Sequence, residues 1–150
     1  MKSINSDSSI VSLISETAER SQKACLLATS LLAAMPSQEY GGLILKKSSC
    51  DFWCLVGKDP SQVGKWRFYV CDRCGFISHS THNDSFSTIL AAVQEGFVEL
   101  SDAKTIDHLS ATEEWKIGSL RTGLIMDLNS GKLTFHEFQE KLSRILAGAH

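Results

Sequence analysis

From about residue 9 to residue 36, apolar and small residues recur three and four positions apart. Ile10, Leu13, Ile14, Thr17, Ala18, Ser21, Cys25, Ala28 and Leu32 share one face of the long N-terminal helix that this spacing predicts. Ser8 or Ser9 can cap its start, and Pro36 marks its end. Cys25 lies on the apolar stripe and reads as a small core hydrophobe. Residues 1–8 read as a polar tail.

At Gly41 the period changes. Leu43–Lys47, Phe52–Val56 and Trp66–Val70 are short aliphatic or aromatic runs, which predict strands. Gly57 to Ser61 and Gly64 supply turn residues between the second and third runs. In the third run, alternation sends Trp66, Phe68 and Val70 to one side and Arg67 and Tyr69 to the other.

Beyond His82 the helical period returns. Asp84 or Ser85 can open a helix through Ile89, Leu90, Val93 and Phe97 towards Leu100. Ser110 and Glu113 have the spacing of a capping box, ahead of a stripe at Ile117, Leu120, Leu124 and Leu128. Thr134 and Glu137 repeat it ahead of Phe135, Phe138, Leu142, Ile145 and Leu146, with the last helix ending near Gly148. Gly131 lies in the short link between these two helices and predicts an antiparallel hairpin. The expected class is α+β: a long N-terminal helix (9–36), a zinc-bound antiparallel β-hairpin module (41–82) and C-terminal helices (84–148), packed as one body. The apolar faces of the first and last helices exceed what so small a β-module can cover. They are therefore expected to bury one another or a second subunit, as in a homodimer.

Composition changes this picture little. A chain of 150 residues, 43% hydrophobic and 21% charged, is ordinary for a globular protein of one domain or one with a small satellite. The net charge of −2 excludes a generic polyanion binder. The distribution is uneven: residues 41–82 carry six basic side chains against three acidic, and residues 83–150 six against ten. No apolar run approaches the roughly 20 residues of a membrane span. The stretch Ala24 to Met35 imitates a signal sequence, yet a long and mostly polar segment precedes it.

The candidate chemistry lies in the cysteines. Cys50 and Cys54 form one close pair, Cys71 and Cys74 another, with sixteen residues between the pairs and Gly75 after the last. Two such pairs on a β-hairpin can offer four thiolates to one tetrahedral zinc. Arg73 would offset some of their charge. The pattern suits metal ligation in a reducing compartment better than a secreted disulfide framework, and so predicts an intracellular chain, cytoplasmic with the nucleus left open. The strand ending at Val70, the turn Cys71-Asp72-Arg73-Cys74-Gly75 and the apolar pair Phe76-Ile77 resemble the second knuckle of a zinc ribbon, over about Gly42 to Ser80. The first knuckle departs from that family, having three residues between its cysteines and no proline or glycine. The resemblance implies one structural zinc and a small β-module. His79 and His82 are alternate ligands, as in a set of Cys54, Cys71, Cys74 and His79, and a site without metal is a third reading.

No catalytic residue is assigned. The zinc-deaminase, H-E-x-x-H, P-loop and nucleophile-elbow patterns are all missing. Cys54 with His79 as base is a pair on paper only. Asp127 to Phe138 resembles an EF-hand loop one residue short, with Gly131 and Glu137 each a position early, so a plain helical hairpin is preferred. The leading expectation is a non-enzymatic, zinc-stabilised regulatory or adaptor protein that binds another protein. The second is RNA or single-stranded DNA binding through Lys46, Lys47, Lys58, Lys65, Arg67, Tyr69 and Arg73, with Trp53 or Trp66 as a stacking face. A small hydrolase is the third.

Overall fold

The alternation in Trp66–Val70 is present in the folded chain and decides which side of the sheet becomes the core. The computed structural model describes residues 6–35 and 42–148. Its elements run α1 (Ser6–Ala34), β1 (Leu43–Lys47), β2 (Trp53–Lys58), β3 (Trp66–Asp72), β4 (Gly75–His82), α2 (Ser85–Gln94), β5 (Phe97–Leu100), α3 (Ala103–Ser110), α4 (Glu113–Asn129) and α5 (Phe135–Ala147). The α+β class is as expected. The stop at Pro36, the start of the β-module at Gly41 and most of the polar tail lie outside the described residues.

The β-module is larger than a hairpin. Five antiparallel strands form one sheet in the order β4-β3-β2-β1-β5. Two of these strands come as corrections. Ser78 to His82, a polar stretch for which no strand was expected, belongs to β4. The helix expected to run on towards Leu100 stops at Gln94. Gly96 then takes a left-handed φ of 97°, which reverses the chain into β5 beside β1.

Cβ atoms alternate across each strand, so the sheet has two unlike faces. Leu45, Val56 and Phe68 point to the first face and meet Ile89 of α2 and Phe97 of β5; all are essentially fully buried. Burial of each such side chain contributes about 1.5–3 kcal/mol. Asp84 opens α2, its carboxylate accepting the Ser87 amide at 2.7 Å. Helix α2 lies on the sheet, and the C-terminal part of α1 joins the same core through Ala28 and Leu31. The second face holds a smaller cluster in which Trp53 and Cys71 meet Ile106 of α3 and Trp115 of α4.

Two further expectations change. The cap of α4 is Thr112, one residue before Glu113, with its hydroxyl accepting the Trp115 amide at 3.2 Å; Ser110 instead closes α3. Cys25 is exposed, because the face of α1 that meets the body runs through Ala24, Leu27, Ala28, Leu31 and Leu32, and Cys25 lies to one side of it. The capping box of α5 is complete: Thr134 receives the Glu137 amide, and the Glu137 carboxylate receives the Thr134 amide at 2.8 Å. Gly131 turns the α4–α5 link at φ 75°. Helix α5 packs on α4 and has no fully buried residue.

Candidate functional site

The four paired cysteines do not converge. In the β2–β3 register Cys54 lies opposite Val70 and Trp53 opposite Cys71. Cys54 therefore enters the main core, and Cys71 enters the Trp53–Trp115 cluster on the other face. Cys50 and Cys74 are exposed in the turns at the sheet's end. Cys74 Sγ donates to a carboxylate oxygen of Glu114 at 3.8 Å. Among the described residues, no three His, Cys, Asp or Glu side chains gather closely enough to hold a metal ion. A ribbon needs four sulfurs aimed at one centre, and side chains on opposite faces of one sheet, as Cys54 on β2 and Cys71 on β3 are, cannot supply that. The donor set does not fit the zinc anticipated from spacing.

The alternate ligands separate for the same reason. His82 stacks on Phe68 at 5.8 Å on the core side, with Ser80 Oγ 2.9 Å from its Nε2. His79 is exposed beside Tyr69 on the opposite face. His79 and Cys54 are thus on different faces and on strands separated by β3, so they make no nucleophile–base pair. The thiols themselves are poor nucleophiles. Burial, then Glu95 and Cys71, pushes the Cys54 thiol far up. Burial and Asp72 push Cys71 up to about 11. Partial desolvation, followed by Asp72 and Glu114, raises Cys74. The thiolate is the reactive form, so these positions favour the inert one.

The residues of the nucleic-acid reading are dispersed as well. Lys46 sits over the Trp53 ring on the second face, 3.8 Å from Asp51. Lys47 sits over Phe97 on the first. Arg73 is paired with Asp51 at 2.7 Å, and Lys65 with Asn83. Lys58 is exposed at the far end of β2. Arg67 and Tyr69 are neighbours on the second face, but Arg67 is already committed to Asp59 at 2.7 Å. No continuous basic surface joins these seven side chains.

Sequence reading missed the polar knot around Asp59. Its side chain is fully buried; Oδ1 accepts the Ser61 amide at 2.8 Å, the Ser61 hydroxyl at 2.7 Å and the Gln62 amide at 3.2 Å, and Oδ2 accepts the Thr81 hydroxyl at 3.0 Å. Arg67 also donates to Thr81 Oγ1 at 3.0 Å and to Tyr69 OH at 3.2 Å. Asp-Pro-Ser was a readable Asx-turn signal, whereas the Thr81 contact needed β4. Every polar atom in the knot has a partner, so it is a brace for the β2–β3 loop. Trp53 Nε1 is different: it is a buried donor without a hydrogen-bond partner among the described residues.

Among the described residues, most of the large exposed hydrophobic side chains lie on helices. Ile10, Leu13 and Ile14 on α1 are 53%, 59% and 63% exposed, continuing the stripe that lower down packs into the core. Leu120, Ile125 and Met126 of α4 and Phe135 of α5 are exposed too. The EF-hand-like segment is a plain hairpin: the Lys132 ammonium lies 3.7 Å from Asp127, and Glu137 is spent on the cap. No described helix is long and apolar enough to cross a membrane. No protein-family model matches the chain, and searches of curated proteins and of solved structures likewise give no match.

Proposed function

We propose that this chain is a non-enzymatic adaptor or regulatory protein whose partner is another protein, engaged by the apolar face on the first half of α1. The observation that carries this reading is the continuity of one stripe. Ala24, Leu27, Ala28 and Leu31 join the core, while Ile10, Leu13 and Ile14, on the same helix face, remain in water. An isolated helical segment of this length is marginal in water, so an apolar face at helical spacing is best satisfied by a packed partner. Zinc is left out of the proposal because the cysteines do not share a centre.

Nucleic-acid binding is the weaker reading, since Arg67 and Arg73 are ion-paired and the lysines point to different faces. The test is affinity capture from the source cells with the wild-type chain and with a triple variant, Ile10→Ser, Leu13→Ser and Ile14→Ser. Proteins retained by the wild type and lost with the folded variant are the expected result. Equal retention by both, or salt-sensitive binding of oligonucleotides in place of protein, would overturn the proposal.

A further inference from the structure

β4 is an edge of the sheet: α2 and α4 pack near it, but no described strand pairs with its outer side. Among the described residues, no backbone hydrogen bond outside the β3 ladder and no side-chain hydrogen bond to the backbone involves Phe76 to His82. The strand has eight residues, with no Lys, Arg, Asp, Glu or Pro among them. Phe76 and Ile77 on it are 46% and 55% exposed. Proteins ordinarily blunt such edges with charge, proline or shortness. The opposite edge is blunted: β5 has four residues, carries Glu99, and pairs with β1 through an irregular register. A bulge where β4 meets Cys71 disturbs only its first residues, leaving Ser78 to His82 in regular register with β3.

We propose that β4 is a self-association edge, occupied by β4 of a second copy running antiparallel, so that two five-stranded sheets become one. The asymmetry of the edges selects this arrangement. An antiparallel pairing of β4 with itself is isologous and closes as a dimer. A β4-to-β5 contact would propagate into a filament, and the short acidic β5 opposes it. A second copy brings a strand already ordered on β3, whereas a foreign peptide must lose its freedom on docking. With no Lys, Arg, Asp or Glu on β4, the edge meets its own image without opposed fixed charges. This surface is separate from the α1 face, so each can fail without the other.

The test is sedimentation of the full chain across a micromolar concentration series, beside Ile77→Lys, His79→Lys and the double variant. Residues 77 and 79 are exposed, so these changes place like charges across the two-fold while leaving the core intact. The wild type is expected to dimerise, and the double variant to associate at least about tenfold more weakly with an unchanged circular dichroism spectrum. If the double variant is misfolded, the single variants carry the comparison. Amide exchange adds a second readout: protection along β4 should rise with wild-type concentration. A wild type that is monomeric throughout, or a dimer untouched by either single variant and without β4 protection, overturns the proposal. So does a monomer that takes up an added synthetic peptide of the β4 sequence along this edge.

Discussion

Arg67 holds Asp59 at 2.7 Å from the neighbouring strand, and Thr81 of β4 donates to the same carboxylate oxygen at 3.0 Å. Three segments of chain thereby meet on one buried anion. Burial by itself would raise the Asp59 pKa; the Ser61 and Thr81 hydrogen bonds and the Arg67 charge outweigh it and hold the carboxyl down to about 2, against an ordinary 3.8. A folded pKa below the unfolded one gives stability that is present above pH 3.8 and lost as pH falls towards about 2. Asp59→Asn should therefore be less stable at neutral pH, with Arg67 left unpaired. Its urea midpoint should also vary less than that of the wild type between those two pH values.

Gly118 of α4 lies against the β3–β4 turn, where an added Cβ would sit 1.8 Å from the Cys74 carbonyl oxygen. Gly123 on the same helix faces open space. In a free helix, Ala is better than Gly by about 0.5–1 kcal/mol. Gly123→Ala should gain roughly that amount, and Gly118→Ala should instead lose about 1–3 kcal/mol through overpacking. Chemical denaturation of the two variants side by side checks the docking of α4 on the sheet.

The opposed faces of Cys54 and Cys71 predict an order of thiol labelling. Cys25 and Cys50 should react readily in the native protein and Cys74 more slowly, while Cys54 and Cys71 should react only on unfolding. A chelator should leave the melting temperature and this order unchanged. One retained zinc, whose removal unmasks Cys54 and Cys71, would show that the β2–β3 register differs from the one described.

Thr134→Ala removes the hydroxyl that receives the Glu137 amide. The expected cost is about 0.5–2 kcal/mol. Because α5 has no fully buried residue, the loss should appear first as faster amide exchange along α5, ahead of the core strands. Calcium should not reverse it, since Glu137 is engaged by the cap and Lys132 sits beside Asp127.

The local elements were legible because their signals are local. Periodicity marked α1, short aliphatic or aromatic runs marked β1 to β3 with alternation in β3, and Asp84 and Thr134 marked helix starts by hydrogen bonds within one turn. β4 was not legible: Ser78 to His82 is polar on both faces, and it becomes a strand only because β3 offers a ladder. β5 was hidden because Phe97 fits the helical period of α2 as well as the core it joins, and Gly96 alone breaks the helix. Spacing brought the cysteines together on paper, since intervals along a chain carry no information about strand register. A register sends adjacent residues to opposite faces, and here it divides Cys54 from Cys71. By itself, then, the sequence determined the longer helices α1, α2, α4 and α5, the strands β1 to β3 and where several of them begin. Only the tertiary structure decided which faces are covered, which charges are paired and which edge and helix surface remain open, because those depend on contacts between residues far apart along the chain.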